Sequence, residues 1–461
     1  MRATRLTDSW QLLALATPIA LTQLAQVALT TIDVVMIGVL GVQALAAGGL
    51  AIVLFNQVRT IGVGLITAAG NRVAELAASD EPQALEQDAE SGVRDVVRAS
   101  LAMATVAGLA GAVIMVGLAQ ALAWLGQDRD VVDLAQAMLL ALAPGLVPCL
   151  WFNALRQYTV GMRRPRALVW ITVACIVVNA ALNAVLGYGV WIFPRLELVG
   201  IGLATTLAHL LSFVLLCVAV RRDPVLAPML SLRAWRADRT TVRRLTALGV
   251  PIAATYGSEA GFFSVVALIM GGFGAAALAA HTVVNQLVYI VFQVTIGLSH
   301  SASIIVSREV ALGRIGATAQ VGRLALANGA AVMGVFALLY LIGPELVLRP
   351  FMDLSDPADA RAVDLATQLL AVAALLQFAD CAQNIGVGLL RGLRDTKAGL
   401  RATLLGYWAV GLPLALLLGP VADLGPVGVW VGLMAGLATT AALLLTRFAH
   451  VLRSAAASAV A

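Results

Sequence analysis

Long apolar runs, each broken by a short charged or glycine-bearing stretch, recur along the whole chain. A run of about 20 mostly apolar residues is long enough to cross a bilayer as a helix. Twelve such runs are legible, at roughly 10–36, 44–70, 95–125, 131–155, 167–190, 199–220, 245–271, 277–305, 323–346, 363–390, 400–419 and 426–447. The pattern predicts an all-α membrane protein with twelve transmembrane helices. The opening stretch, MRATRLTDSWQLLALATPIALTQ, has basic residues ahead of an apolar run, as a secretory signal does. Its apolar part exceeds the usual h-region of about 7–15 residues and has no convincing small-x-small cleavage site, so it reads as a retained first span.

Composition agrees with this pattern. The 461 residues are 61% hydrophobic and only 12% charged, with a mean hydropathy of +0.93. Soluble domains carry about 25% charged residues, so this chain is solvated by lipid. Its 42 glycines suit close helix approach, which packing rather than hydrophobicity drives in a membrane. Cys149, Cys175, Cys217 and Cys381 lie singly in apolar runs, without disulfide or metal-ligand spacing, and read as buried thiols.

An even number of spans puts both termini on one side. The arms and loops of that side hold 25 of the 30 basic residues, against four on the other side: Arg129, Arg195, Arg349 and Arg361. Basic loops stay in the cytoplasm, so both termini are expected there. The net charge of +5 follows from this topology and gives no support to a nucleic-acid partner. The basic stretch RRDPVLAPMLSLRAWRADRTTVRRL (221–245) reads as an amphipathic connector, with a lipid-binding or regulatory arm as the alternative. It separates an expected N-lobe (1–220) from a C-lobe (245–461), with 221–244 as linker.

The two halves are repeats. PIA at 18–20 recurs at 251–253, a shift of 233, and GVLGVQALAAG (38–48) then aligns with GGFGAAALAAH (271–281), identical at six of eleven positions. GMRRPR (161–166) matches GLRDTK (392–397) at a shift of 231, which sets Asn153 on Asn384. Even-numbered repeats share one orientation, so the lobes are expected to be related by a pseudo-twofold axis along the membrane normal. Transporters built this way bind substrate between their halves and rock one against the other.

Four charges lie clearly inside the predicted spans: Asp33, Arg59, Glu259 and Asp380. Each costs about 3 kcal/mol or more at the bilayer centre and is expected to face a cavity or a partner. The repeat sets Val266 opposite Asp33, Gln26 opposite Glu259 and Cys149 opposite Asp380. One half does without each acid that the other carries, so the fold does not require them. A structural ion pair or a solvated face is the alternative reading of each.

The stretches PIALTQLAQVALTTIDVVMIGVLGVQALAA, PIAATYGSEAGFFSVVALIMGGFG and LLQFADCAQNIGVGLLRGLRDTK resemble the signature regions of multidrug and toxic compound extrusion (MATE) transporters. The bacterial NorM-like branch is the most similar, and the resemblance covers essentially the whole chain. It implies two six-helix lobes and maps the family's N-lobe aspartate onto Asp33. The C-lobe glutamate maps onto Glu259 and the tenth-helix aspartate onto Asp380. Asn179 and Asn183, spaced i, i+4 and so on one helix face, resemble the polar partners of the first-helix aspartate. Phe292 resembles an aromatic near the family's C-lobe cation site. Leu376 stands where the family often has a tyrosine.

A carboxyl in a low-dielectric cavity binds a proton or a sodium ion more readily than one in water. The expected function is therefore a proton- or sodium-coupled antiporter exporting lipophilic organic cations, with no cofactor beyond the coupling ion. Sodium, if it is that ion, is expected at Glu259 and Asp380. Arg59 pairs with an acid, meets an anionic headgroup, or extends to the interface. His209, His281 and His300 read as packing or hydrogen-bonding groups, with a proton relay as the alternative.

One rival is a flippase of lipid-linked oligosaccharides from the same superfamily, which would want several cavity cations where this chain offers Arg59 alone. The other is a polytopic membrane enzyme. The outer stretches 126–130 and 347–361 carry Asp but no His and no metal-ligand spacing, and the acidic loop 75–95 reads as solvated. The chain is thus expected to be a monomeric, multi-pass protein of the bacterial inner membrane and not an enzyme.

Overall fold

The computed structural model describes residues 2–78, 87–121, 129–189, 194–352 and 360–460, and every regular element among them is helical. Residues 79–86, 126–128 and 353–359, parts of the acidic loop and the Asp-bearing outer stretches, lie outside the described residues. Twelve helices are long and apolar enough to cross a membrane. They are α1 (Leu12–Val39), α2 (Gln43–Leu76), α3 (Asp88–Gln120), α4 (Val131–Gly161), α5 (Arg166–Gly187) and α6 (Glu197–Arg222), then α7 (Arg239–Gly272), α8 (Ala276–Ala311), α9 (Ile315–Ile342), α10 (Ala360–Gly392), α11 (Thr396–Val421) and α12 (Gly425–Ala455).

The helices run past the apolar windows that predict them. Arg156 and Arg391, expected in loops, instead lie inside α4 and α10, at 5% and 4% exposure. Apolar run length marks the hydrocarbon slab, whereas helix length is set by packing beyond it. The two guanidiniums are held alike: Arg156 Nη1 donates to Gln23 Oε1 of α1 at 2.6 Å, and Arg391 Nη2 to Tyr256 Oη of α7 at 3.3 Å. Gln23 and Tyr256 are repeat equivalents, since 256 − 23 is the same 233 that separates the two PIA motifs.

The chain forms two compact units, residues 21–254 and residues 1–20 with 255–461. Both boundaries fall inside a helix, α1 and α7, close behind Pro18 and Pro251. Proline has no N–H and displaces the carbonyl four residues back, so a helix bends there. In the unit of residues 21–254, α4 packs against α2, α3 and α6. In the other unit, α10 packs chiefly against α8 and α12. Ser301 Oγ of α8 there donates to the carbonyl of Leu12 in α1, at 2.9 Å.

Small residues set the closest approach in that second unit. Gly428, Gly432, Gly436 and Thr440 form an i, i+4 stripe on α12 that faces Leu418, Ala415, Gly411 and Gly406 of α11. A Cβ on Gly436 would lie 2.8 Å from Gly411 Cα, leaving no room for any side chain. Backbones that touch this way gain dispersion contacts that larger side chains would prevent. Helix α11 itself is wound as π-helix over Leu404–Gly411 and Leu417–Val421, and the repeat-equivalent α5 ends in a π segment at Asn183–Gly187. π segments gather at functional sites.

After α6, Asp223 ties the linker down. Its carboxylate accepts from Val225 N at 2.9 Å, Leu226 N at 3.2 Å and Arg164 Nη1 at 3.1 Å. Partial burial raises its pKa, but these bonds outweigh it and hold the carboxyl below its ordinary range. The tie is therefore complete above the usual carboxylate range and is lost only in acid.

Gly436→Leu should force α12 off α11 and destabilise the protein by about 1–3 kcal/mol or more. Gly334→Leu, where an added Cβ meets nothing within 4 Å, should change little. Thermal unfolding in detergent distinguishes them, and equal melting temperatures would show that the stripe is not a packing constraint.

Candidate functional site

Each unit buries acid in its own hydrogen-bond cage. Asp33 lies near the end of α1 and is 4% exposed. Asn183 Nδ2 donates to its Oδ1 at 2.7 Å and Thr205 Oγ1 of α6 to its Oδ2 at 3.0 Å. Asn183 also donates to Asn179 Oδ1 at 3.3 Å, and Asn179 Nδ2 lies 3.5 Å from Thr205 Oγ1, so the i, i+4 asparagines work as one relay. Asn183 begins the π segment of α5, which widens the turn that aims its amide across to α1. Both asparagines are fully buried. Such donors replace the water that an ionised carboxylate would otherwise need.

Asp33 also lines a narrow cavity, shared with Gln26, Asn56, Arg59, Cys149 and His209. The cavity holds about 60 Å³ of space, and a single water needs about 10–15 Å³, so several waters or one small polar group fit. Arg59 is half-buried on its wall, Nε donating to Asn56 Oδ1 at 3.2 Å, and it forms no ion pair with an acid among the described residues. His209 stacks on Phe55 with ring centroids 5.9 Å apart. The one acid and the one guanidinium of this cavity are thus held by different neighbours.

The C-lobe acids come from α7 and α10. Glu259 is half-buried, and its Oε1 lies 3.2 Å from the Tyr407 hydroxyl, which is also 3.0 Å from Gln383 Oε1. A phenol has one proton to give. An ionised Glu259 claims it, whereas a protonated Glu259 can donate to the phenol oxygen and release it towards Gln383. Tyr407 comes from the π stretch of α11 and is completely buried, its ring 4.9 Å from Phe262. Asp380, 5% exposed, accepts from Asn384 Nδ2 at 3.2 Å and is close enough to Glu259 for their charges to interact.

The repeat shows how the second acid was accommodated. Asn153, the counterpart of Asn384, reaches back four residues to the Cys149 carbonyl at 2.9 Å. In α10 the same asparagine reaches back to Asp380, at the Cys149 position. Both amides reach the carbonyl four residues back, at 2.9 Å in α4 and 3.3 Å in α10, and in α10 the amide also meets a carboxylate.

The structure therefore brings Asp33 together with Asn179 and Asn183, and places Glu259 and Asp380 in the same unit, each with its own hydrogen-bond partner. Phe292 stacks on Tyr289, centroids 6.2 Å apart. His281 is buried and accepts from Trp430 Nε1 at 3.2 Å. No group of three or more His, Cys, Asp or Glu side chains suited to a metal occurs among the described residues. Sequence reasoning missed Thr205, Tyr407, Gln383 and Gln377. Tyr407 was findable as the one tyrosine of its span, but nothing in the chain marks Thr205 among its many threonines. Gln377, one turn before Asp380, is buried with neither end of its amide hydrogen-bonded, leaving polar capacity on the acid's face of α10.

The MatE family model matches this chain twice, over residues 18–185 and 251–417, and the two starts differ by the repeat shift (251 − 18 = 233). The chain is 38% identical over 442 residues to a "Probable multidrug resistance protein NorM" of Pseudomonas aeruginosa, covering 96% of this chain and 89% of that protein. It is 37% identical to a protein of the same description from Bradyrhizobium diazoefficiens, over 95% of this chain and 92% of that one. In fold it matches the Vibrio cholerae MATE transporter VcmN in its bent form, with a TM-score of 0.83 at 15% identity over 98% and 99% of the two chains. With twelve spans, a doubled family match and near full-length relatives, the chain belongs to the MATE family of membrane transporters.

Proposed function

We propose that this protein is a cation-coupled multidrug antiporter that exports lipophilic organic cations by alternating access, with both termini in the cytoplasm of a bacterial cell. One observation carries the reading: acids buried in both lobes, each with its own donors, at positions where the sister half has none. A fold that does not need these acids has kept them at a cost of several kcal/mol each. The names of the relatives, which speak of multidrug resistance, support the substrate side. The 25 to four split of basic residues supports the orientation.

In this reading the C-lobe binds the coupling ion. Glu259 and Asp380 repel one another when both are ionised, and one proton or one sodium ion between them relieves that repulsion. Sodium would find hard oxygen ligands in the two carboxyls, Gln383 and the Tyr407 hydroxyl, with Gln377 in reserve. Tyr407 reports the state of Glu259 to α11 through the direction of its single hydrogen bond. Ion occupancy thus changes which packing of the lobe is preferred, which is what links it to conformation. Asp33, with a full set of donors and a cavity beside it, exchanges one of those partners for a cationic substrate.

Glu259→Gln and Asp380→Asn keep size and remove charge. Each should reduce ion-driven uptake of a fluorescent cation in proteoliposomes to background while expression and monodispersity hold. Normal pumping by both variants against a concentration gradient would overturn the coupling role. Imposing proton and sodium gradients separately identifies the ion.

Asp33→Asn should chiefly alter substrate affinity or release. Asn183→Ala removes a donor from a buried carboxylate and should cost about 1–3 kcal/mol of stability; an unchanged melting temperature would mean that Asp33 does not depend on that bond. A periplasm-dependent reporter fused to Ala461 should be silent, and clear activity would reverse the proposed orientation.

A further inference from the structure

The linker between α6 and α7 is tied down well beyond Asp223. Tyr158 Oη of α4 donates to the Leu226 carbonyl at 2.8 Å, and Leu226 and Met229 are buried. Two arginines of α3 then fix its course: Arg94 Nη2 donates to the Pro228 carbonyl at 3.0 Å, and Arg98 Nε to Ser231 Oγ at 2.9 Å. Beyond Ser231 a single 3-10 turn, Ala234–Arg236, packs on α3. The apolar run of α3 starts at about residue 95. A turn tied to Arg94 and Arg98 therefore lies where that helix enters hydrocarbon, at headgroup level.

This turn presents an aromatic ring and positive charge together. Trp235 is 80% exposed and Leu232 36%, and Arg233 and Arg236 beside them are exposed as well. Tryptophan collects at the membrane–water boundary, where its ring meets an apolar medium and its N–H a polar one. Residues 231–244 hold five arginines, all exposed, against one acid, Asp238. That acid is occupied: it accepts from Thr241 N at 2.8 Å, Thr241 Oγ1 at 2.9 Å and Thr240 Oγ1 at 3.0 Å, capping the start of α7. On α3, Asp95 pairs with Arg98 at 3.0 Å, while Asp88 and Glu90 lie one to two turns farther from the apolar run than Arg94.

We propose that residues 232–239 dock on the anionic lipid surface around the protein, with Leu232 and Trp235 entering among the headgroups and Arg233, Arg236 and Arg239 on lipid phosphates. Guanidinium forks suit phosphate oxygens, and each basic residue beside a span adds to its hold on anionic lipid. A free phosphate would engage the arginines but offers the exposed indole no apolar medium. The surface is separate from both acid cages and does not rest on the export reading. Helix α7 starts three residues beyond Arg236, so docking fixes where that helix enters the bilayer and makes anionic lipid content a control on it.

Hydrogen–deuterium exchange of the full chain tests this, in nanodiscs of phosphatidylcholine alone or mixed with phosphatidylglycerol. Amides of residues 232–238 should exchange more slowly with phosphatidylglycerol present, and high salt should cancel the difference. Arg233→Gln with Arg236→Gln should weaken docking about thirtyfold, returning exchange to the phosphatidylcholine rate. Trp235→Ala keeps every charge and should also lose the protection. Arg323→Gln with Arg401→Gln removes the same charge from exposed positions of the other unit and should change nothing. Equal exchange in the two lipids, or equal loss in the two glutamine pairs, would overturn the proposal. Full protection in Trp235→Ala would reduce it to a charge effect and overturn the docking. Protection by inorganic phosphate or an oligonucleotide in phosphatidylcholine discs would assign the patch to those anions and overturn the lipid. Monodispersity of each variant separates loss of docking from loss of fold.

Discussion

In hydrocarbon a polar group has no water to fall back on, so a buried carboxylate must find its donors within the protein, on neighbouring helices for Asp33 and Glu259 and on its own helix for Asp380. The rest of the molecule is arranged around that constraint. Asp33 on α1 is met by donors from α5 and α6, and Glu259 on α7 by a phenol from α11 that is itself anchored on Gln383 of α10. Because the donors belong to other helices, any change at the acid is felt as a change in helix packing. A surface carboxylate, solvated by water, would transmit nothing.

Delivering those donors calls for local departures from α-helical geometry, and both occur in repeat-equivalent helices. The π segment of α5 starts at Asn183 and that of α11 contains Tyr407. The α11 segment is tolerated because α12 offers a glycine stripe against it, so the wider helix lies backbone to backbone without displacing side chains. The small residues that a membrane bundle needs for cohesion thus also allow the irregular winding that places the Tyr407 hydroxyl beside Glu259.

The repeat shows which features belong to the fold and which to the chemistry. Both halves keep the buried arginine that holds the first helix of each repeat, the proline near the unit boundary and the left-handed arginine after the fourth helix. These are shared scaffold. The acids differ, as does the side chain each amide meets: Asn384 faces the Asp380 carboxylate where Asn153 faces the Cys149 thiol. The two halves thus share a framework and differ in their polar interiors.

Much of this was legible in the chain. Twelve spans, the internal repeat and the three acids follow from where apolar runs lie and where charge interrupts them, since the transfer cost of a residue into lipid is a local property. The i, i+4 pair Asn179 and Asn183 was legible for the same reason, as one helix fixes their common face. Tertiary structure alone decided the partners. Thr205, Tyr407 and Gln383 lie on other helices from Asp33 and Glu259, and a threonine beside a second threonine in an apolar span has no local mark of its role. Arg156 and Arg391 fell on the wrong side of the reading because apolarity measures the lipid slab, whereas their burial depends on packing where the helices outrun it. Residue chemistry is written along the chain; which residue meets which is settled only when helices distant in sequence are packed together.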